Sequence, residues 1–402
     1  MTLIVGKVFN PCLVGVFRLF TGDNSKKRYN FMDIQISDVQ NIPIIVNALK
    51  VLTTGLLAFL LAFFLTPLWT HILYAYKIGI KIKQNAVDGE KLTFVNKMHA
   101  KKQGTPTMGG LLVWFPVLIL TFASHFLFPF IAVIFGMDFI ARLDFLSRPQ
   151  VWLPLFVLVT AGILGLFDDY MSVRGRGTNK GGGMRFLFRF WWLFAIAGTG
   201  AWWFYSKLGG DQLPLPAVGD FSIGLWYIPL FIFVILFSAI SSNETDGLDG
   251  LNGGVLLIAF SSFALIAFLQ NKLDLAAFCA ALSGALLAFL WFNIYPARFF
   301  MGDTGAVALG TTLGVVAMLT NSSLVLFLIV FLYVLESGSV VIQLLSKKYR
   351  GKKVFLSAPL HHHFEAVGWE EPKIVMRAWI FSAVMALIGL IIGILGMGKI
   401  HL

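Results

Sequence analysis

Charged side chains are scarce in this chain: Asp, Glu, Lys and Arg make up 13% of its 402 residues, against about 25% in an average soluble domain. So few charges cannot cover a water-facing surface, which excludes soluble enzymes and disordered chains. Cysteine is scarcer still. The two present, Cys12 and Cys279, lie far apart and the second sits in an apolar run, so neither a disulfide framework nor a Cys-based metal site is expected. The apolar stretch near the N-terminus is broken by Lys7, Pro11 and Arg18 and lacks a small-residue cleavage site, which argues against a signal peptide. Neither solenoid-period repeats nor inverted repeats of the transporter kind stand out. What abounds is apolar: 58% of residues are hydrophobic, with 40 Phe and 11 Trp, and the mean hydropathy is +0.82. This is the composition of a membrane protein.

A helix of about 20 mostly apolar residues crosses a bilayer, and ten stretches qualify, near 50–75, 108–135, 150–167, 186–206, 222–241, 253–270, 275–292, 305–320, 323–345 and 376–398. They lack the alternation of lipid-facing strands. The expected fold is therefore all-α and polytopic, with ten transmembrane helices forming one domain over 49–402. Residues 1–48 read as a separate interfacial segment. The odd-numbered connections between stretches carry 20 Lys and Arg, the even-numbered ones 4. That asymmetry puts the odd connections in the cytoplasm and both termini outside. Most of the net charge of +11 is then topogenic and lipid-facing, and no nucleic-acid partner is implied.

The dense polar motifs all fall on the side assigned to the cytoplasm. Lys101–Gly110 precedes the second stretch, with Pro106 suited to a first helical turn; it reads either as a plain helix start or as an anion site on free amides. The third stretch runs into Asp168 and Asp169. A charge at membrane depth costs about 2.5–3.5 kcal/mol on insertion scales, so an adjacent acid pair there asks for a reason. Neighbours on a helix point about 100° apart, so the two carboxylates are expected to have different partners, one a cavity and the other a lysine or backbone amide. The loop Arg174–Gly183 follows, basic and glycine-rich, a phosphate wrap or a linker. Asn243, Asp246 and Asp249 are spaced three apart with no local counter-ion, which suggests an external cation or a hydrogen-bonding ligand. Asp303 stands alone before the eighth stretch, where it either caps the helix or ligates a hard cation such as Mg²⁺. Four acid motifs on one face favour the metal. His361, His362 and His363 cannot all reach one metal from a regular helix, and histidines beside a phosphate site serve as donors to its oxygens.

These motifs, Thr105–Gly110, Asp168–Tyr170, Thr245–Leu251, Phe300–Gly305 and His361–Glu365, stand in the order found in the polyprenyl-phosphate N-acetylhexosamine-1-phosphate transferases. With Gly368–Trp369 and Pro372–Lys373 after the histidines, the chain resembles that family's phospho-N-acetylmuramoyl-pentapeptide transferase branch from about residue 48 to the end. The resemblance implies ten transmembrane helices with both termini outside, an active site on the cytoplasmic face, and location in the bacterial cytoplasmic (inner) membrane. It makes Asp303 a catalytic Mg²⁺ ligand, Asp168 and Asp169 the catalytic acidic pair, and His361 catalytic. Lys102, Thr107, Lys180, Asn243, Asp246, Asp249, Asn293, Phe300, His362 and His363 become substrate-binding. Two positions depart from the family pattern: Ser172 stands where Lys is common, with Arg174 or Arg176 as substitutes, and Ile240 where Asn is usual.

The implied reaction moves phospho-N-acetylmuramoyl-pentapeptide from its UDP ester to undecaprenyl phosphate, giving UMP and lipid I, the first membrane step of peptidoglycan synthesis. Membrane lipid is a partner, and a homodimer is a candidate assembly. The lipid phosphate, with a second pKa near 6, is mostly dianionic at pH 7. Single displacement is therefore favoured over an aspartyl-phosphate intermediate. The nearest rival is transfer of N-acetylglucosamine-1-phosphate to the same carrier; a cation-coupled transporter is the more distant one, since transporters gather their acids at the bilayer midplane.

Overall fold

The computed structural model describes residues 36–76, 78–79, 102, 104–146, 149–176, 183–209, 211–215 and 219–397. Each of the ten apolar stretches is helical, though 108–135 and 323–345 are each divided between successive helices. α1 (Ile36–Ala75) is followed by α2 (Leu111–Phe122), which a five-residue π turn at Ala123–Leu127 joins to α3 (Phe128–Phe135); α4 (Asp138–Arg142) is a short connector. Next come α5 (Pro149–Val173) and α6 (Phe186–Leu208). A two-stranded antiparallel hairpin, β1 (Gln212–Leu215) and β2 (Gly219–Ser222), pairs Leu213 with Phe221. α7 (Tyr227–Thr245), α8 (Leu251–Leu269), α9 (Leu273–Asn293) and α10 (Asp303–Leu319) follow, then α11 (Ser323–Ile329), α12 (Phe331–Arg350), α13 (Leu360–Ala366) and α14 (Glu371–Met397).

Among the described residues seven helical segments are long and apolar enough to cross a membrane, or eight if α11 and α12 count as one span. Two of the ten expected spans fall outside that number. α10 is 17 residues long, and α6, though 23 residues, carries Arg189 and Lys207. The stretch 323–345 is not a straight span. It breaks at Val330, and α12 leaves at 82° to α11. Beyond the break α12 turns amphipathic, exposing Val341, Ile342, Leu344 and Leu345 and ending in Lys347, Lys348 and Arg350. α1 runs from Ile36, and its apolar span from Pro43. Residues 1–35, on which most of the interfacial reading rests, lie outside the described residues.

Packing inside the bundle follows from small residues, as it must where lipid removes the hydrophobic drive between helices. α10 is apolar or small all round, and every residue from Thr304 to Leu319 is buried, the pattern of a central helix. Its Gly310 sits against Ser238 and Ala239 of α7, and its Gly314 against Ile235. Thr311 and Thr312 satisfy their hydroxyls on the carbonyls of Val307 and Ala308, so they add no unmet polar group to the core. α1 and α9 meet backbone to backbone: a Cβ on Gly284 would fall 1.9 Å from the Gly55 carbonyl oxygen. Gly284→Ala is accordingly expected to cost about 1–3 kcal/mol by overpacking, read as a lower thermal midpoint in detergent; an unchanged midpoint would mean the crossing is loose.

The helices alternate in direction, so the C-terminal ends of α5, α7 and α9 and the N-terminal ends of α6, α8, α10 and α14 gather at one end of the bundle. Hydrogen bonds among residues far apart in sequence tie that end together, as described next.

Candidate active site

The site grows around the N-terminus of α10. A helix start leaves four backbone N–H groups without intrahelical partners, and here the cap comes from another helix. Asp169, at the end of α5, accepts from the Asp303 amide at 3.2 Å, the Thr304 amide at 3.0 Å and the Thr304 hydroxyl at 2.6 Å. Gly302, the N-cap residue, has no side chain to cap the helix, and Asp303 follows it as the first helical residue. Gly302 permits the turn: its φ is +71°, and a Cβ there would lie 2.4 Å from both Asp169 Oδ2 and Thr107 Oγ1. Its amide donates to Asp246 Oδ2 at 3.0 Å.

Asp168 points elsewhere, as the helical rotation between neighbours requires. Its Oδ1 accepts from the Met184 amide at 2.6 Å and its Oδ2 from Arg189 Nη1 at 2.9 Å. The same Nη1 donates to Asp303 Oδ2 at 2.6 Å, and Asn243 Nδ2 donates to Asp303 Oδ1. One guanidinium nitrogen thus lies between two carboxylates from α5 and α10. By position alone Arg189 belongs to the topogenic charges of the third connection. The signal that marks it is a cation inside an apolar stretch, which insertion cost flags as functional. Arg174 lies over the Tyr170 ring, 5.6 Å from its centroid.

A second group adjoins the first. Lys102 Nζ donates to Asp249 Oδ1 at 2.6 Å and to Glu371 Oε1 at 2.5 Å, and stands 5.6 Å from the centre of the Phe300 ring. Asp249 Oδ2 accepts from the Ala297 amide. Asn293 spends both polar ends on backbone, accepting from the Gly250 amide at 3.0 Å and donating to the Phe299 carbonyl at 2.8 Å. Thr107 is buried, and its segment is knit to the residues before α10 by Phe300 N–H to Pro106 O and Gly109 N–H to Phe300 O, both 2.8 Å. The three histidines divide. His361 abuts Gly247, His362 Nδ1 contacts Glu365 at 2.6 Å, and His363 Nδ1 accepts from the Leu356 amide. Lys180 lies outside the described residues. Glu371, Thr304 and Glu336 join the site without having been singled out in the sequence.

Asp246 shows the electrostatic character of the place. Burial, reinforced by the charges of Asp303 and Asp249, pushes its carboxyl from an ordinary 3.8 up to about 7, with the Gly302 amide and Lys102 opposing. A raised acid contributes stability that is complete below its unfolded pKa and is lost as pH rises through the folded one. The thermal midpoint of ligand-free protein should therefore fall between about pH 4 and about pH 7, and Asp246→Asn should flatten the slope. Equal slopes in the two proteins would contradict this assignment.

Among the described residues no group of three His, Cys, Asp or Glu side chains is placed to hold a metal by itself. The donors nonetheless fit Mg²⁺, which takes one or two carboxylates and completes its shell with substrate phosphates and water. Asp168 and Asp303 offer two hard oxygens directed at one cationic nitrogen.

The sequence model of the family described as Glycosyl transferase family 4 matches residues 151–321. The chain is also similar to the phospho-N-acetylmuramoyl-pentapeptide-transferase of Chloroflexus aurantiacus, 36% identical over 346 residues, which is 83% of this chain and 86% of the relative. The enzyme of the same name from Bartonella quintana is 40% identical over 309 residues, 73% of this chain and 80% of the relative. The chain belongs to the phospho-N-acetylmuramoyl-pentapeptide transferase family. The segment matched as Glycosyl transferase family 4 carries Asp168, Asp169, Arg189, Asn243, Asp246, Asp249, Asn293, Phe300 and Asp303. Lys102, Thr107 and the three histidines lie outside it. In this member of the transferase family, then, the acids and Arg189 occupy the matched segment, and residues from both flanks close over them.

Proposed function

We propose that this protein transfers phospho-N-acetylmuramoyl-pentapeptide from its UDP ester to undecaprenyl phosphate, releasing UMP and forming lipid I in the bacterial cytoplasmic membrane. One observation carries the chemistry: Asp168 and Asp303 converge on a single Arg189 nitrogen at the start of α10. Two oxygens facing one cation favour a charge-neutralising site for anionic reactants. The choice of sugar rests on the names of the relatives. The topology we propose has ten spans with both termini outside and the site on the cytoplasmic face, supported by the 20 against 4 distribution of Lys and Arg.

In this reading an oxygen of the lipid phosphate attacks the β-phosphorus of the UDP ester. A new P–O bond forms, the bond to the bridging oxygen breaks, and its electron pair leaves on UMP. Asp168 positions the lipid phosphate or takes its remaining proton. Asp303, with Asp168 beside it, would hold Mg²⁺, which when bound neutralises pyrophosphate oxygens and makes the phosphorus a better electrophile. Asp169 keeps α10 in place so that Asp303 presents its carboxylate. Lys102, now paired with Asp249 and Glu371, is the cation available to the nucleotide's phosphates when they displace those acids. Asn243 fixes the Asp303 carboxylate from the other side.

Purified protein offered undecaprenyl phosphate, Mg²⁺ and each UDP-sugar separately should release UMP with the muramoyl-pentapeptide ester. Release with UDP-N-acetylglucosamine alone would overturn the substrate assignment. Rapid quenching during turnover should leave no phosphosugar on Asp168 or Asp303, in keeping with single displacement.

A further inference from the structure

Glu336 is the one carboxylate in the apolar run that forms α11 and α12, and it is 3% exposed. A charge in such a run needs a specific partner. That partner is His361. One oxygen of Glu336 accepts the His361 backbone N–H at 3.2 Å and lies 3.1 Å from its ring Nδ1. A carboxylate only accepts, so Nδ1 carries the hydrogen in this contact. The opposite ring nitrogen, Nε2, is buried and has no hydrogen-bond partner, although the residue is only 1% exposed. Leaving such an atom unmet is unfavourable, which points to a ligand that meets it. Its direction is set by Gly247, where a Cβ would fall 2.3 Å from Nε2. The imidazole edge occupies the space a side chain would take, in the loop between Asp246 and Asp249. The His362 ring packs on the His361 ring with centroids 4.2 Å apart. Glu244, the other acid nearby, is held by Ser337 Oγ at 2.5 Å.

We propose that Glu336 is a positioning residue for the transfer: it holds the His361 ring with Nδ1–H toward α12, so that Nε2 is the nitrogen presented to the phosphate oxygens of the nucleotide substrate. This rests on the phosphotransfer reading above. In that role Nε2 carries a proton and donates, and Glu336 balances the charge on the ring.

The test combines kinetics with an imidazole signature. Glu336→Gln should lower kcat by about 10–100-fold while the KM for the UDP ester changes by less than about 3-fold, and Glu336→Asp should recover part of the loss. In a His361→Asn background the same Glu336→Gln change should add less than about 2-fold. ¹⁵N spectra of histidine-labelled protein, with the His361 signals assigned by their loss in His361→Asn, should show Nδ1 protonated in the wild type and this signature lost in Glu336→Ala. An unchanged kcat, a change confined to KM, a full additional loss in the His361→Asn background, or a wild-type ring protonated at Nε2 alone would each overturn the proposal. The spectra need no turnover. A wild type that makes no UMP would contradict the phosphotransfer reading, whereas a wrong tautomer would contradict only the role of Glu336.

Discussion

Asp303→Asn should reduce UMP release by about 10³-fold, the loss seen when a group stabilising transition-state charge is removed from a water-poor site. The change keeps shape but removes the charge that draws Arg189 and, in our reading, Mg²⁺. Folding should survive, because Asp169 still accepts from the Thr304 amide and hydroxyl at the start of α10. The thermal midpoint is therefore expected to move little while activity collapses. Asp211→Asn serves as a control at the opposite end of the bundle, where Asp211 accepts from Ser222 Oγ at 2.9 Å, and should leave turnover unchanged. If Asp303→Asn retained more than about a tenth of the wild-type rate, the carboxylate would not be part of the chemistry.

Arg189→Gln should have the second-largest effect, and on two readouts. Removing one partner of a buried ion pair costs about 3–5 kcal/mol. Arg189 is 24% exposed and Asp303 23%, so solvent screening reduces the expected loss to about 1–3 kcal/mol. Without the guanidinium, Asp168 and Asp303 face each other with no cation between them. Added Mg²⁺ should then raise the thermal midpoint of the variant more than that of the wild type, because ligand binding to the folded state stabilises it by mass action. Turnover should fall by about 10²-fold. Equal Mg²⁺-induced shifts in the two proteins would show that the metal does not replace Arg189 between these carboxylates.

The sequence discloses the parts of this site that depend on local order. Apolar runs of the right length mark where helices stand, and all ten expected stretches are helical. The adjacent acids Asp168 and Asp169 were expected to diverge by helix geometry, and they do, one to a guanidinium and the other to backbone amides. For Asp303 the structure adds partners that the sequence could not name: a residue 134 positions earlier accepts its amide, and its carboxylate meets Arg189 and Asn243. What the sequence conceals are pairings between distant segments. Lys102 to Glu371 spans 269 positions, and Glu336 to His361 joins two helices whose relation depends on the bend at Val330. Hydropathy sees the stretch 323–345 as continuous because it scores composition and not backbone direction. Arg189 was hidden for a related reason: a charge near a helix end reads as topogenic until its partner on another helix is known.

The most direct measurement of the central idea is a Mg²⁺ titration of UMP release by the purified protein with undecaprenyl phosphate and the UDP-muramoyl-pentapeptide ester, begun in chelator. The account predicts no release in chelator, full recovery on adding Mg²⁺, and a much higher Mg²⁺ requirement in Asp168→Asn. Undiminished release in chelator, or an unchanged Mg²⁺ requirement in that variant, would contradict it.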